Sequence, residues 1–157
     1  MTPPVETEPF TIPYGRNNYC GPCALAYVLG SDPDSAAALL RKASGKRSIR
    51  GVSNGHLIEA IWAAVVRTRL AFPIGNVPHP QLRRWLSTRE DPAALYIVNI
   101  THHYIVVHGN QVFDSRFHLG KPLEKCPYLL RRVVNAWRVF PPVIERNIYL
   151  SVSGNPY

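Results

Sequence analysis

The 157-residue chain has few cysteines and no long apolar run, and no secretory signal is expected from its first residues. Its three cysteines cannot all pair with one another, which excludes a complete disulfide framework and favours a reducing compartment. The longest apolar run, residues 58–66, contains Glu59 and falls far short of the roughly 20 residues of a membrane helix. The first residues lack the basic and apolar segments of a signal peptide. We therefore expect a soluble protein.

Acidic residues are also scarce, with 10 Asp and Glu against 18 Lys and Arg, giving a net charge of +8. Charged residues make up 18% of the chain, below the roughly 25% of an average domain, so the positive charge reflects missing acids. The bases occur in short groups, namely Arg41-Lys42, Lys46-Arg47, Arg50, Arg83-Arg84 and Arg131-Arg132. This pattern favours solvated helix ends and loops, and predicts at most weak, non-specific nucleic-acid contact.

The length and an apolar content of 46% fit a single domain that buries its own core. Residues 1–13 contain four prolines and two glutamates, which predicts an extended arm that contributes little to that core. Such an arm is available to an assembly partner. We therefore expect a proline-rich arm over residues 1–13 and one domain over residues 14–157.

The first half of the chain is predicted to be helical. Pro22 suits the first helical position, so Cys20 is expected just outside the helix. The residues after Pro22 are apolar nearly all round, and Gly30 supplies a stop. A second helix is expected from Asp32-Pro33 to Lys42. Two more helices are predicted, one capped by Ser53 and one over residues 81–86. The third helix has a core-facing stripe made of Leu57, Ile58, Ile61, Trp62 and Val65.

After Asp91-Pro92 the pattern becomes that of β-strands. Strands are predicted over residues 95–100, 104–107, 112–113, 133–140 and 147–152, with a turn at residues 108–111. Helices that precede strands, without regular alternation, are typical of an α+β fold. We expect N-terminal helices packed on a C-terminal antiparallel sheet.

The motif Cys20-Gly21-Pro22-Cys23 lies at the start of the first predicted helix. Unpaired amide groups and the helix dipole favour the thiolate form of a cysteine at that place. Cys23 lies one turn further in and is predicted to be buried. The pattern favours Cys20 alone as a nucleophile, which then needs a base and a group that orients the base.

A predicted hairpin supplies both groups. If Gly109 and Asn110 form a two-residue turn, Asp114 lies opposite Ile105, and His103 and Asp114 become diagonal neighbours on one face of the sheet. His102 then points to the other face. A three-residue turn would instead place His102 on the same face as Asp114. His103 is therefore the preferred base and His102 the alternative.

The segment from Asn18 to Leu25, followed much later by His102-His103-Tyr104 and Asp114, resembles the papain-like cysteine peptidase fold. The similarity is to its small bacteriophage and bacterial variants and spans roughly residues 15–115. It implies that Cys20 is the nucleophile, His103 the general base and acid, and Asp114 the group that orients the imidazole. It further implies a thiol protease or amidase that hydrolyses a peptide or amide through a thioester, without a cofactor, in the cytoplasm or in a virion.

The chain departs from this family about six residues before the cysteine, where Tyr14 replaces the usual glutamine that donates to the oxyanion. Asn17, or else Asn18, is expected to take that role together with the backbone amide of Cys20. The alternative is a catalytically silent papain-like interaction module, such as a virion component docked through its arm and basic face.

Two further alternatives use the same cysteines. A thiol-disulfide oxidoreductase would use Cys20 and Cys23 as a dithiol, although residues 12–19 lack the strand that precedes this motif in a βαβ unit. A zinc site would combine these two thiols with Cys126 or with one of the adjacent histidines, His102 and His103. Neighbouring residues on a strand face opposite ways, which argues against both histidines binding one ion.

Overall fold

A computed structural model describes residues 19–49, 52–64, 67–72 and 79–140. These residues form an α+β fold, as the order of helices and strands predicts. The helices are α1 (Cys20–Leu29), α2 (Pro33–Ser44), α3 (Asn54–Ala63) and α4 (Leu82–Thr88), and the strands are β1 (Arg67–Phe72), β2 (Leu95–Asn99), β3 (Tyr104–His108), β4 (Gln111–Asp114), β5 (Phe117–Pro122) and β6 (Asn135–Phe140). The predicted arm at residues 1–13 and the predicted strand at residues 147–152 lie outside the described residues.

The six strands form one antiparallel sheet in the order β1-β6-β2-β3-β4-β5. Side chains alternate between its two faces, so neighbours such as Ile97 and Val98 enter different cores. Helices α1, α2 and α3 share the core that contains Ile97, and α4 shares the core that contains Val98. None of the helices in the described ranges is long and apolar enough to cross a membrane.

The ends of the helices follow the capping residues in the sequence. Gly30 ends α1 in the left-handed conformation, with φ of 63°. Asp32 caps α2 by accepting a hydrogen bond of 2.8 Å from the Ser35 amide. Ser53 caps α3 in the same way, accepting from the His56 amide. The predicted starts of the second and third helices and the end of the first are thus confirmed.

The prediction that all helices precede all strands is wrong at β1, which lies between α3 and α4. This strand and β5 lack the apolar alternation of a half-buried strand, because β1 carries Arg67 and Arg69 and β5 carries Gly120 and Pro122. Both are edge strands of the sheet, where polar residues, Gly and Pro are tolerated.

Trp62 was expected in the core-facing stripe of α3, and this expectation is wrong, since the residue is 61% exposed. The helix buries Leu57, Ile58 and Ile61. Trp62 lies outside this buried face of α3, and its indole N–H donates to Thr68 Oγ1 in the edge strand β1 at 3.0 Å. The helical period alone does not define how wide the buried stripe is.

The hairpin of β3 and β4 has the predicted two-residue turn at Gly109 and Asn110. His108 pairs with Gln111, and the same register continues with Val107 opposite Val112 and Val106 opposite Phe113. Gly109 has φ of 60°, which glycine adopts at little cost. This register fixes which residues of the two strands share a face.

The turn between β2 and β3 is strained. Its central residues, Thr101 and His102, have φ of 48° and 65°, and the Ile100 amide donates to the His103 carbonyl oxygen at 2.8 Å. Positive φ at both central positions is typical of a type I′ turn, which favours Asn and Gly over a β-branched residue. The guanidinium of Arg131 donates to the Thr101 carbonyl oxygen at 3.0 Å and helps to hold this turn. The strain lies immediately before His103.

Replacing Thr101-His102 by Asn-Gly is expected to raise the free energy of unfolding by about 1 kcal/mol, because these residues adopt positive φ more readily. Urea titration of both proteins measures the change. The matched control is Gly109→Ala in the other two-residue turn, where a new Cβ meets no atom within 4 Å but must adopt φ of 60°. It should lower the stability by a similar amount. A loss of stability in the Asn-Gly variant would contradict strain at residues 101–102.

Candidate active site

Cys20 is the first residue of α1 and is half-buried. The prediction that Cys20 lies just outside the helix is wrong, because proline is tolerated throughout the first turn, where amide groups have no partner within the helix. The Tyr19 side chain, at the N-cap position, makes no hydrogen bond to the first amide groups of the helix. Gly21 permits the helix start to lie close to Val52, since a Cβ there would come within 3.2 Å of its Cγ2 atom. Pro22 has no amide hydrogen to satisfy in this first turn. The sequence thus places the thiol at the end of a tightly packed helix.

The predicted contact between His103 and Asp114 is present. His103 Nε2 lies 2.8 Å from Asp114 Oδ2, and the two side chains are 7% and 0% exposed. The Cys20 side chain lies close enough to the imidazole to raise the pKa of His103, through a hydrogen bond and through its charge. The thiol at the start of α1, the imidazole and the carboxylate at the end of β4 are therefore neighbours.

Burial and these contacts act in opposite directions on the pKa of His103. Burial disfavours the imidazolium and lowers the pKa, but hydrogen bonds to Asp114 and Cys20 favour the charged ring and raise the pKa to about 9. Burial likewise disfavours the carboxylate of Asp114, whereas hydrogen bonds from His103, Tyr128 and the Arg116 amide lower its pKa to about 2. The pair is thus imidazolium and carboxylate near neutral pH.

Asp114 is held by more than the histidine. Its Oδ1 accepts from the Ser115 hydroxyl at 3.0 Å and from the Arg116 amide at 2.9 Å. The Tyr128 hydroxyl forms a further hydrogen bond with the carboxylate. These donors fix the orientation of the carboxylate and therefore that of the imidazole bonded to it.

Tyr128 also packs on the imidazole, and nothing in the sequence pattern indicated it. Its ring lies edge-on to that of His103 with centroids 5.2 Å apart, and it is itself buried. The Arg131 guanidinium lies 5.5 Å from the Tyr128 ring centroid and also holds the turn before His103. Tyr128 follows a short 3₁₀ turn, Leu123–Lys125, and has no strand register or helical period that would have placed it.

A polar cluster fixes the neighbouring end of the sheet. The Tyr104 hydroxyl lies 2.6 Å from Asn54 Oδ1 and 3.0 Å from the Val52 carbonyl oxygen. The amide of Asn54 donates to Asn135 Oδ1, and the amide of Asn99 donates to Asn54 Oδ1. Burial, and then the charge of nearby Cys20, raise the pKa of Tyr104, so its hydroxyl stays protonated. The cluster ties α3 to β2, β3 and β6 beside the thiol.

A narrow cleft runs from Cys20 between α1 and the sheet. Most of its surface is apolar, and the Tyr27 and Phe113 rings stack in it with centroids 4.1 Å apart. The Tyr27 hydroxyl is anchored at 3.1 Å from His108 Nδ1. The residues that line the cleft are Cys20, Cys23, Ala24 and Tyr27 from α1, and Tyr104, Val106, Phe113, Asp114 and Ser115 from the other wall.

The alternative base His102 lies in the turn, and its side chain is exposed. Of these two histidines, only His103 forms a hydrogen bond with the Asp114 carboxylate. Asn17 and Asn18, the predicted oxyanion donors, and Tyr14 lie outside the described residues. The predicted nucleophile, base and orienting carboxylate are thus brought together, while the oxyanion donors stay a prediction.

The structure gives little support to a zinc site. Cys126 is buried in the core that contains Val98, whereas Cys23 belongs to the core on the other face of the sheet. Among the described residues, no three His, Cys, Asp or Glu side chains form a group able to hold a metal ion. All three cysteines are free.

The dithiol alternative lacks its usual structural context in the described part of the chain. The redox motif is expected in a βαβ unit, which has parallel strands. Every strand pair described here is antiparallel, and α1 is followed by another helix. Cys23 is 6% exposed, and its burial, followed by the charges of Cys20 and Asp114, raises the pKa of its thiol to about 12.

Comparison of the chain with known protein families, with curated proteins and with solved structures finds no match. What the site can do chemically therefore follows from its side chains. A half-buried thiol at a helix start, an imidazole bonded to it and a buried carboxylate that orients the imidazole are the parts of a nucleophilic catalyst.

Proposed function

We propose that the protein is a papain-like cysteine hydrolase, a peptidase or amidase, that attacks an acyl carbon with Cys20. One observation carries the proposal, namely the continuous contact from the Cys20 side chain through His103 to the buried carboxylate of Asp114. A purely structural thiol needs neither a partner base nor a group that orients that base. The proposed location is the cytoplasm or a virion.

The reaction follows from the roles of these three groups. The sulfur of Cys20, its proton held by His103, forms a bond to the carbonyl carbon of an amide. As the tetrahedral intermediate collapses, the carbon–nitrogen bond breaks and the imidazolium gives its proton to the leaving amine. Water then loses a proton to the imidazole and attacks the thioester. The acid leaves, and Cys20 and His103 regain their starting state.

Asp114 acts through His103. Its hydrogen bond to Nε2 holds the ring beside the thiol, and its charge stabilises the imidazolium. The backbone amide of Cys20, at the first helical position, has no acceptor within the helix and is suited to donate to the oxyanion. Asn17 or Asn18 is proposed as the second donor.

The experiment that tests the proposal is capture of the acyl-enzyme. The full chain is mixed with activated esters and a pool of peptide amides, quenched in acid and analysed by mass spectrometry. We expect an acyl group on Cys20 that hydroxylamine releases, since hydroxylamine cleaves thioesters. Cys20→Ser should carry no hydroxylamine-sensitive thioester, whereas Cys126→Ala should be acylated like the original chain, because Cys126 lies in the other core. Absence of an adduct with every substrate, or an adduct on Cys126 alone, would contradict the proposal.

A catalytically silent papain-like interaction module, such as a virion component, is the second candidate. Two observations favour it: Tyr14 stands where the family has glutamine, and the stacked rings of Tyr27 and Phe113 narrow the cleft beside the thiol. Such a module would bind its partner through the proline-rich arm, and the exposed basic pairs would add weak phosphate contacts. It would give no acyl-enzyme, and deletion of residues 1–13 would abolish assembly. The same capture experiment therefore separates the two candidates.

A further inference from the structure

The proposed reaction leaves Cys23 without a role. This thiol lies one turn after Cys20 in α1, lines the same cleft and is not bonded to another cysteine. The charge of Cys20 contributes to the raised pKa of Cys23, as expected for neighbours. Cys126, in contrast, is buried in the core on the opposite face of the sheet. The chain thus has one neighbouring pair of thiols and one distant thiol.

The helix geometry brings the pair close to bonding distance. Residues three apart on a helix have Cβ atoms about 5–6 Å apart, whereas a disulfide requires about 3.5–4.5 Å. A shift of about 1–2 Å at the helix start would close this gap. Cys20 is the first helical residue, so the shift falls at the end of the helix and exchanges the interaction of Cys20 with His103 for a bond to Cys23. A bridge formed in this way is strained and therefore easily reduced.

We propose that Cys20 and Cys23 form a reversible disulfide after oxidation of Cys20 by a hydroperoxide, and that this bond blocks the nucleophile. In the first step the Cys20 thiolate attacks the peroxide oxygen, the O–O bond breaks, and the His103 imidazolium gives its proton to the leaving alkoxide or hydroxide, so that the products are a sulfenic acid, an alcohol or water, and a neutral imidazole. In the second step the sulfur of Cys23 attacks that of Cys20, the S–O bond breaks, and the Cys23 proton leaves with the hydroxyl as water. Two thiols are oxidised and one peroxide is reduced.

The consequence for activity rests on the proposed function. A sulfur in a disulfide cannot attack an acyl carbon, so oxidation stops hydrolysis and a dithiol reductant restores it. Formation of the bridge also stops oxidation of Cys20 at the sulfenic acid, before the irreversible sulfinic acid. Cys23 is therefore the resolving cysteine of the nucleophile.

The test follows thiols by mass and does not depend on a substrate. The full chain is treated with hydrogen peroxide, quenched in acid, unfolded, alkylated with N-ethylmaleimide and digested. We expect Cys20 and Cys23 to become inaccessible to alkylation together and to be recovered together with dithiothreitol. Cys126 should stay reactive throughout and serves as the internal control.

The Cys23→Ala variant separates a resolving cysteine from a bystander. In this variant Cys20 should gain two oxygens and should not be recovered by dithiothreitol, whereas Cys126→Ala should behave like the original chain. The proposal is overturned if Cys20 of the original chain reaches the sulfinic acid while Cys23 stays available to N-ethylmaleimide. That measurement uses the original chain, so its outcome does not depend on whether a variant folds. If Cys20 and Cys23 are oxidised together but no acyl-enzyme forms, the proposed hydrolase is contradicted and the disulfide is supported. If an acyl-enzyme forms but the two thiols are not oxidised together, the disulfide is contradicted and the hydrolase is supported.

Discussion

His103→Ala is expected to reduce the rate at which Cys20 is acylated by about 10³–10⁴-fold. In the proposed mechanism the variant loses the group that holds the thiol proton and stabilises the thiolate. Cys20 itself belongs to α1, a helix that does not include His103. The rate is measured as the release of p-nitrophenol from p-nitrophenyl acetate. Asp114 keeps hydrogen bonds from Ser115 and Arg116, so the variant should still fold. Its stability should fall by about 3 kcal/mol, because a buried ion pair loses one partner.

The matched control is His102→Ala, the neighbouring histidine in the turn. Its side chain is exposed and forms no hydrogen bond with Asp114, and alanine must adopt the same positive φ as the histidine. The acylation rate should therefore stay close to that of the original chain. Equal losses in the two variants would mean that the turn, rather than the imidazole of His103, matters for the reaction.

Asp114→Asn is expected to lower the hydrolysis rate by about 10²–10⁴-fold and to move the alkaline limb of its pH dependence. In the original chain this limb should lie near pH 9, because in the proposed mechanism the leaving amine takes its proton from His103, whose pKa is raised to about 9. Without the carboxylate, only Cys20 still opposes the effect of burial on this pKa. The limb should then move clearly below pH 9. Rates measured from pH 5 to pH 10 give the shift.

The same pair makes stability depend on pH in a defined direction. The pKa of His103 is higher in the folded chain than the ordinary 6.5, so its contribution is complete below 6.5 and is lost as the pH rises through about 9. The pKa of Asp114 is lowered from 3.8 to about 2, so its contribution is complete above 3.8 and is lost as the pH falls toward 2. The pair should stabilise the fold most between about pH 4 and 6.5, by about 2–3 kcal/mol.

Asp91→Asn is the control for the pH dependence of hydrolysis in Asp114→Asn. Asp91 forms an ion pair with Arg138 at 3.0 Å and, at 40% exposure of its side chain, is far less buried than Asp114. Its substitution should leave the alkaline limb of hydrolysis near pH 9. A limb that stays near pH 9 in Asp114→Asn would show that this carboxylate does not set the protonation of His103.

The positions of the three proposed catalytic residues could be predicted because each depends on local rules. Pro22 and the apolar residues after it locate the first turn of α1, although the helix begins at Cys20 rather than at Pro22, and this is enough to place Cys20 at the helix start. The Gly109-Asn110 turn fixes the register of β3 and β4, and strand alternation then brings His103 and Asp114 together. A turn one residue longer would have exposed His103 and buried His102.

The supporting residues could not be predicted, because they depend on long-range packing. Tyr128 lies in an irregular segment and reaches Asp114 only through the tertiary fold. The bond between Asn54 and Asn135 joins residues 81 positions apart. Arg131 reads in sequence as a solvated base, yet it holds the carbonyl oxygen of Thr101 in the strained turn. Neither periodicity nor spacing contains this information.

The central claim is that His103 activates one thiol of the three. The most direct measurement is the rate of alkylation of each cysteine by iodoacetamide at pH 6, where an unassisted thiol is mostly protonated. The account predicts rapid, selective modification of Cys20, its loss in His103→Ala and its persistence in His102→Ala. Equal and slow modification of Cys20, Cys23 and Cys126 in the original chain would contradict it.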